Sequence, residues 1–118
     1  MIYPDLSYKI TGLLFVVHNT LGRYSREKQY SDVFEDLLRE KGIVYKREYK
    51  IGKSGNIADF IIEDKIVIEC KAKQAISKDD YFQTQRYLQT TGYKLGLIVN
   101  FRNRFLKPKR VIRTDIPK

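Results

Sequence analysis

Two carboxylates and one ammonium, Asp59, Glu69 and Lys71, are the side chains of this chain best placed to do chemistry together. They lie in two apolar segments, 57–62 and 66–71, separated by Glu63-Asp64-Lys65, which reads as a short turn. With a three-residue turn, Ile62 faces Ile66, Ile61 faces Val67, and Asp59 falls opposite Glu69. Directly paired positions hold their Cβ atoms roughly 4.5–5.5 Å apart. Alternation puts Asp59, Glu69 and Lys71 on one face with Ile57, Ile61 and Val67. Ala58, Phe60, Ile62, Ile66, Ile68 and Cys70 then line the other face.

Facing carboxylates repel, so their placement calls for a compensating cation. A hard divalent ion, Mg²⁺ or Mn²⁺, suits them: it takes oxygen ligands and keeps open positions for water and a phosphate oxygen. Such an ion acidifies water and stabilises negative charge at a phosphoryl centre. Lys71, on the same face, is suited to holding the attacking water or offsetting that charge. The competing interpretation is a carboxylate–lysine salt bridge on a solvated sheet face, since short patterns of this kind arise by chance. The apolar neighbours weigh against it.

Around this hairpin the periodicity predicts an α/β sandwich. A first helix capped by Asp5 or Ser7 runs to about Leu21, with Ile10, Leu13, Leu14, Val17 and Leu21 as its apolar stripe. Ser25 is a candidate cap for a second helix ending at Lys41-Gly42, with Tyr30, Val33, Phe34, Leu37 and Leu38 inward. Ile43, Tyr45, Arg47, Tyr49 and Ile51 alternate with polar residues as a half-exposed strand. After the hairpin, Ser77-x-x-Asp80 resembles a capping box opening a third helix to about Thr90. The run 95–101 is a central strand, and a last strand over 110–113 is a further option. The expected order is helix, helix, three strands, helix, strand, with that optional final strand.

The 118 residues suit one domain, 1–118, with a basic C-terminal segment, 102–118. Lys and Arg number 23 against 14 acids, a formal charge of +9 that favours a polyanionic partner, nucleic acid first. An anionic membrane surface or a place in a larger complex fits the charge as well. The single cysteine, Cys70, excludes an intrachain disulfide and a cysteine zinc cluster, and it suits a reducing cytoplasm. The apolar stretch 13–17 is too short for a membrane span.

Beyond the hairpin, the chain resembles the PD-(D/E)xK nuclease superfamily, and within it the GxxExxY family of small bacterial and archaeal proteins. The resemblance rests on an ordered set: Leu6-Ser7-Tyr8-Lys9-Ile10, Val17-His18-Asn19-Thr20-Leu21-Gly22, Glu27-x-x-Tyr30, Ala58-Asp59-Phe60 and Ile68-Glu69-Cys70-Lys71-Ala72. Gln83-x-x-x-Tyr87-Leu88, Gly92 and the run 95–101 complete it. It departs from the pattern at Tyr24, where the naming glycine is expected, and at Ala58, where proline often precedes the aspartate.

The resemblance implies a central mixed sheet flanked by helices, metal ligation by Asp59 and Glu69, and catalysis by Lys71. It also implies that Glu27 reaches the site as a further ligand or water-binding group. On the residues alone, Glu27 is a first-turn glutamate favouring the helix dipole. Gln83 and Tyr87 resemble the QxxxY element of RecB-like nucleases and project together from one helical face, toward DNA or the lysine.

Arg102, Arg104, Lys107, Lys109 and Arg110 read either as a solvated tail or as a phosphate-binding arm, to which Lys46, Arg47 and Lys50 could add. His18 reads as a packed helix residue and Cys70 as core. The leading function is metal-dependent phosphodiester hydrolysis, on DNA before RNA. The alternatives are a non-catalytic nucleic-acid-binding or adaptor module that retains the fold, and a structural subunit with an acidic partner. A second copy or a protein partner suits a domain of this size, but no interface is legible.

Overall fold

The computed structural model describes residues 1–115; positions 116–118 of the basic segment lie outside the described residues. Five strands form one sheet in sequence order: β1 (Tyr45–Ile51), β2 (Asn56–Ile62), β3 (Ile66–Lys71), β4 (Leu95–Asn100) and β5 (Lys109–Ile112). β1, β2 and β3 form an antiparallel meander, β3 and β4 run parallel, and β5 returns antiparallel to β4. A parallel pair needs a crossover, and α3 (Lys78–Thr91) supplies it. α1 (Pro4–Leu21) and α2 (Glu27–Glu40) precede the sheet.

The helices cover both faces. Ile10, Leu14 and Val17 of α1 and Tyr30, Phe34 and Leu38 of α2 pack with Phe60, Ile62, Ile68, Leu97 and Val99. Tyr87 and Leu88 of α3 pack with Ile51, Ala58, Ile61, Val67, Ile98 and Val111 on the opposite face. Strands covered on both sides read as continuous apolar runs. β3 and β4 do so: all their residues are buried except Lys71, and Glu69 and Asn100 are the polar side chains in that interior.

The hairpin register is the expected one, with Ile62 opposite Ile66 and Ile61 opposite Val67. Glu63 and Asp64 both take positive φ, and the Lys65 amide donates to the Ile62 carbonyl at 2.9 Å, closing the turn. Helix starts differ from expectation. Tyr3, not Asp5 or Ser7, occupies the cap position of α1, with Pro4 setting the first turn. Ser7 is buried, and its hydroxyl accepts from Arg110 at 2.7 Å. α2 starts beyond Ser25: the Arg26 amide donates to Gln29 Oε1, while the Tyr30 hydroxyl donates to the Gly22 carbonyl at 2.6 Å and so closes the α1–α2 loop. β5 starts one residue earlier than expected.

One glycine is required by close approach. A Cβ on Gly96 of β4 would lie 2.7 Å from Thr84 Cγ2 of α3, so the helix sits on the strand at that point. Gly96→Val should therefore destabilise the domain by about 1–3 kcal/mol through overpacking. Urea unfolding measures this, and unchanged stability would mean that α3 does not lie so close to the sheet.

Candidate active site

The β2–β3 ladder stops short of the acids. Its regular pairing runs from Ile62–Ile66 to Phe60–Ile68 and ends there. Beyond it, side chains replace the backbone bonds. The Cys70 amide donates to Asp59 Oδ2 at 2.7 Å, and the Asp59 amide donates to Glu69 Oε2 at 3.3 Å. Each carboxyl thus satisfies an amide at the point where the strands part.

This departure also breaks the alternation expected from the sequence. Phe60 and Ile62 pack under α1 and α2, but Ala58 packs with Ile61 and Val67 under α3. Ile57, expected on that face, is largely exposed. The neighbouring strand turns at the same level: Tyr45 belongs to the α1–α2 side, whereas Tyr49 and Ile51 belong to the α3 side. Between them Glu48 takes φ +53°, a left-handed conformation that reverses the alternation. Asp59 lies at this crossover. It lines a cavity of about 230 Å³ with Glu27, Lys28, Ser31, Arg47 and Glu48, on the α2 side.

Glu69 is 3% exposed. Its carboxyl is pushed up to about 9, first by burial, then by the negative charge of Asp59 and the hydrogen bond between the two acids. Lys71 opposes this only in part. Tyr87 feels the same field: burial, then Glu69 and Asp59, raise its phenol above the ordinary range. The structure therefore brings Asp59, Glu69 and Tyr87 together. Gln83 is half-buried one turn before Tyr87 on α3. Glu27 shares the Asp59 cavity from the first turn of α2, yet among the described residues no three His, Cys, Asp or Glu side chains converge as a ready metal cage.

Lys71 stands at the end of β3 with its Nζ 3.8 Å from Asp80 Oδ1. Asp80 also pairs closely with Lys73 and accepts from the Ser77 amide at 2.8 Å. Burial alone would raise the Asp80 carboxyl, but the bonds from Lys73 and Ser77 prevail and hold it below the ordinary range. Asn100 fixes the same corner from β4. Its amide nitrogen donates to the Lys73 carbonyl at 2.7 Å, and its oxygen accepts from the Lys73 and Arg102 amides.

Asp80, Lys73 and Asn100 escaped the sequence reading. Asp80 looked like a cap, which it also is; Asn100 carried a usable signal, as the polar residue of an apolar strand.

The basic segment is divided. Arg102 exchanges bonds with Arg23, each Nε donating to the other's carbonyl at 2.9 Å, and Arg110 donates to Ser7 and to the Ile2 carbonyl. These two are fastened to the fold because β5 and the preceding loop pack against α1 and the α1–α2 loop. Arg104, Lys107 and Lys109 remain exposed. Arg47 lines the Asp59 cavity but is bound by Asp32 at 2.8 Å and Glu35 at 3.1 Å. Lys46 pairs with Asp64. His18 Nε2 lies 2.9 Å from the Asn103 carbonyl, and Cys70 is in the core, both as expected.

Fold and site define an α/β domain with two adjacent acids and a lysine at the splayed end of a β-hairpin. The chain matches the PD-(D/E)XK nuclease superfamily over residues 4–114 and belongs to it. No curated protein and no solved structure matches the chain. Among the described residues, no helix is long and apolar enough to cross a membrane.

The shift on Glu69 sets a pH dependence. Its folded value, about 9, exceeds the ordinary 4.5, so the native state holds a proton that the unfolded chain releases. Metal-free stability is therefore greatest below pH 4.5, as far as this group decides it, and falls as pH rises toward about 9. Glu69→Gln should flatten that decline in denaturant unfolding across the same range. A mutant profile parallel to that of the native chain would refute the shift.

Proposed function

We propose that this domain hydrolyses phosphodiester bonds in nucleic acid, with DNA as the first candidate, using Mg²⁺ or Mn²⁺ held by Asp59 and Glu69. The observation that carries this reading is the pairing of a buried carboxyl, Glu69, with the half-buried Asp59 at the end of the hairpin, where two negative charges call for a cation. The donor set fits a hard ion: two carboxylates of facing strands, one of them desolvated, with Lys71 drawn toward Asp80. Glu27 would contribute from across the Asp59 cavity, directly or through water. When bound, the ion supplies Lewis acidity at the phosphodiester and lowers the pKa of water.

The chain's own groups have separate tasks. Lys71 holds the attacking water and offsets negative charge growing on the phosphate. Asp80 and Asn100 keep the end of β3 in place, so the lysine acts from a fixed position. Tyr87, whose phenol is raised by burial and by Glu69 and Asp59, would keep its proton and serve as a donor to the substrate. Gln83, one turn earlier, supports the same edge. Arg104, Lys107 and Lys109 are available to phosphates, whereas Arg102 and Arg110 act through the fold. The GxxExxY motif set and a cytoplasmic location are consistent with this assignment. A non-catalytic nucleic-acid-binding or adaptor module is the alternative, and it predicts DNA binding that needs neither acid.

Purified protein should nick plasmid DNA in Mg²⁺ or Mn²⁺, and Asp59→Ala and Lys71→Ala should each lose about 100-fold or more. Equal cleavage by all three proteins would sink the assignment. Metal binding has its own readout. Glu69 would have to give up its proton to ligate an ion at pH 7, so calorimetry of Mg²⁺ binding in two buffers of different ionisation heat should show proton release. Glu69→Gln should abolish that release.

A further inference from the structure

Beside the corner that holds Lys71 lies a second cavity, of about 420 Å³, lined by Ile76, Ser77, Lys78, Tyr81, Phe82 and Lys109. That volume falls in the range of small-ligand pockets. Its walls are aromatic and aliphatic. Tyr81 and Phe82 meet edge to face with centroids 5.7 Å apart, and Phe82 is 52% exposed. Two ammonium groups complete the rim: Lys109 lies 5.4 Å from the Tyr81 ring centroid, and Lys78 opens α3. Among the described residues, no carboxylate lines the cavity.

We propose that this cavity binds one unstacked base of a single-stranded nucleic acid segment, with Lys78 and Lys109 on the adjoining phosphates. The proposal rests on the nuclease reading and adds the form of the substrate. Base-on-aromatic stacking is tolerant of sequence and needs a base freed from its duplex partner, which an exposed ring in a cationic pocket supplies. A duplex offers phosphates to the lysines but no free base to Phe82.

Position links the cavity to the centre. Ser77 and Tyr81 line it, and both are tied to Asp80: Ser77 bonds to the carboxyl, and Tyr81 is the next residue. Asp80 in turn holds Lys71 at 3.8 Å. A strand whose base enters the pocket would pass its backbone by the Lys71 corner. The preferred substrate is accordingly DNA with a locally unpaired base: a single strand, a flap, a frayed end or the transiently opened segments of a supercoiled plasmid.

The test is fluorescence anisotropy in EDTA, where no cleavage occurs, with a labelled short single-stranded DNA and a blunt duplex of the same sequence. Phe82→Ala should weaken single-strand binding about tenfold and leave duplex binding unchanged, as expected for one lost stacking contact. Phe82→Trp should restore it. Lys109→Gln should weaken both DNAs and flatten the salt dependence. Ultraviolet cross-linking of 5-iododeoxyuridine in the single strand should place the adduct on the peptide that carries Tyr81 and Phe82. Unchanged single-strand binding by Phe82→Ala, or an equal loss on both DNAs, would overturn the proposal. Plasmid nicking by the same Phe82→Ala protein separates the two readings: cleavage with unaltered single-strand binding rejects the pocket and leaves the acid pair standing.

Discussion

The arrangement depends on where the β2–β3 ladder ends. A regular antiparallel pair would continue past Phe60–Ile68 with backbone bonds, and Asp59 and Glu69 would stand side by side on one face. Instead the two carboxyls accept from the amides of Cys70 and Asp59, and the strands part. These bonds satisfy backbone donors that burial would otherwise penalise, and they fix both acids in the gap. Repulsion across the gap is then unavoidable, and a proton on Glu69 relieves it when no cation is present. A structural need and a chemical opportunity are met by the same two side chains.

Helices on both faces make that gap consequential. β3 is covered by α1 and α2 on one side and by α3 on the other, so Glu69 is desolvated although it lies near a strand end. On an open sheet, water would screen the pair, and burial would not lift Glu69 as it does. The approach of α3 to β4 at Gly96 holds Tyr87 within the field of both acids. Packing therefore sets the electrostatics, and a looser crossover helix would weaken them.

Much of this was legible in the residues. Turn length fixed the hairpin register, because apolar Ile61, Ile62, Ile66 and Val67 have to pair for the core to close. Element order followed from periodicity. The faces are less accessible, because strict alternation fails at Glu48 and Asp59. A left-handed glutamate has no sequence signature comparable to glycine, so the reversal that moved Ala58 under α3 left no trace in the pattern. The basic segment misled for another reason. Charge counts cannot tell a lysine facing solvent from an arginine whose guanidinium is spent on backbone carbonyls, as in Arg102 and Arg110.

Asp80 completes the account of charge. Had Lys71 formed a close ion pair with Glu69, the acid pair would be neutralised internally, and a divalent ion would have to displace the ammonium. Asp80, with Lys73 as its closer partner, offers Lys71 a competing anion 3.8 Å from its Nζ. Lys71 lowers Glu69 only partly, and the burial and repulsion that raise it prevail. On the proposed function, the lysine and the acids would act on one phosphate without being consumed by each other. Asp80, the N3 residue of α3, thus ties the lysine end of the site to the helix cap, and the bonds from Lys73 and Ser77 offset the cost of its burial.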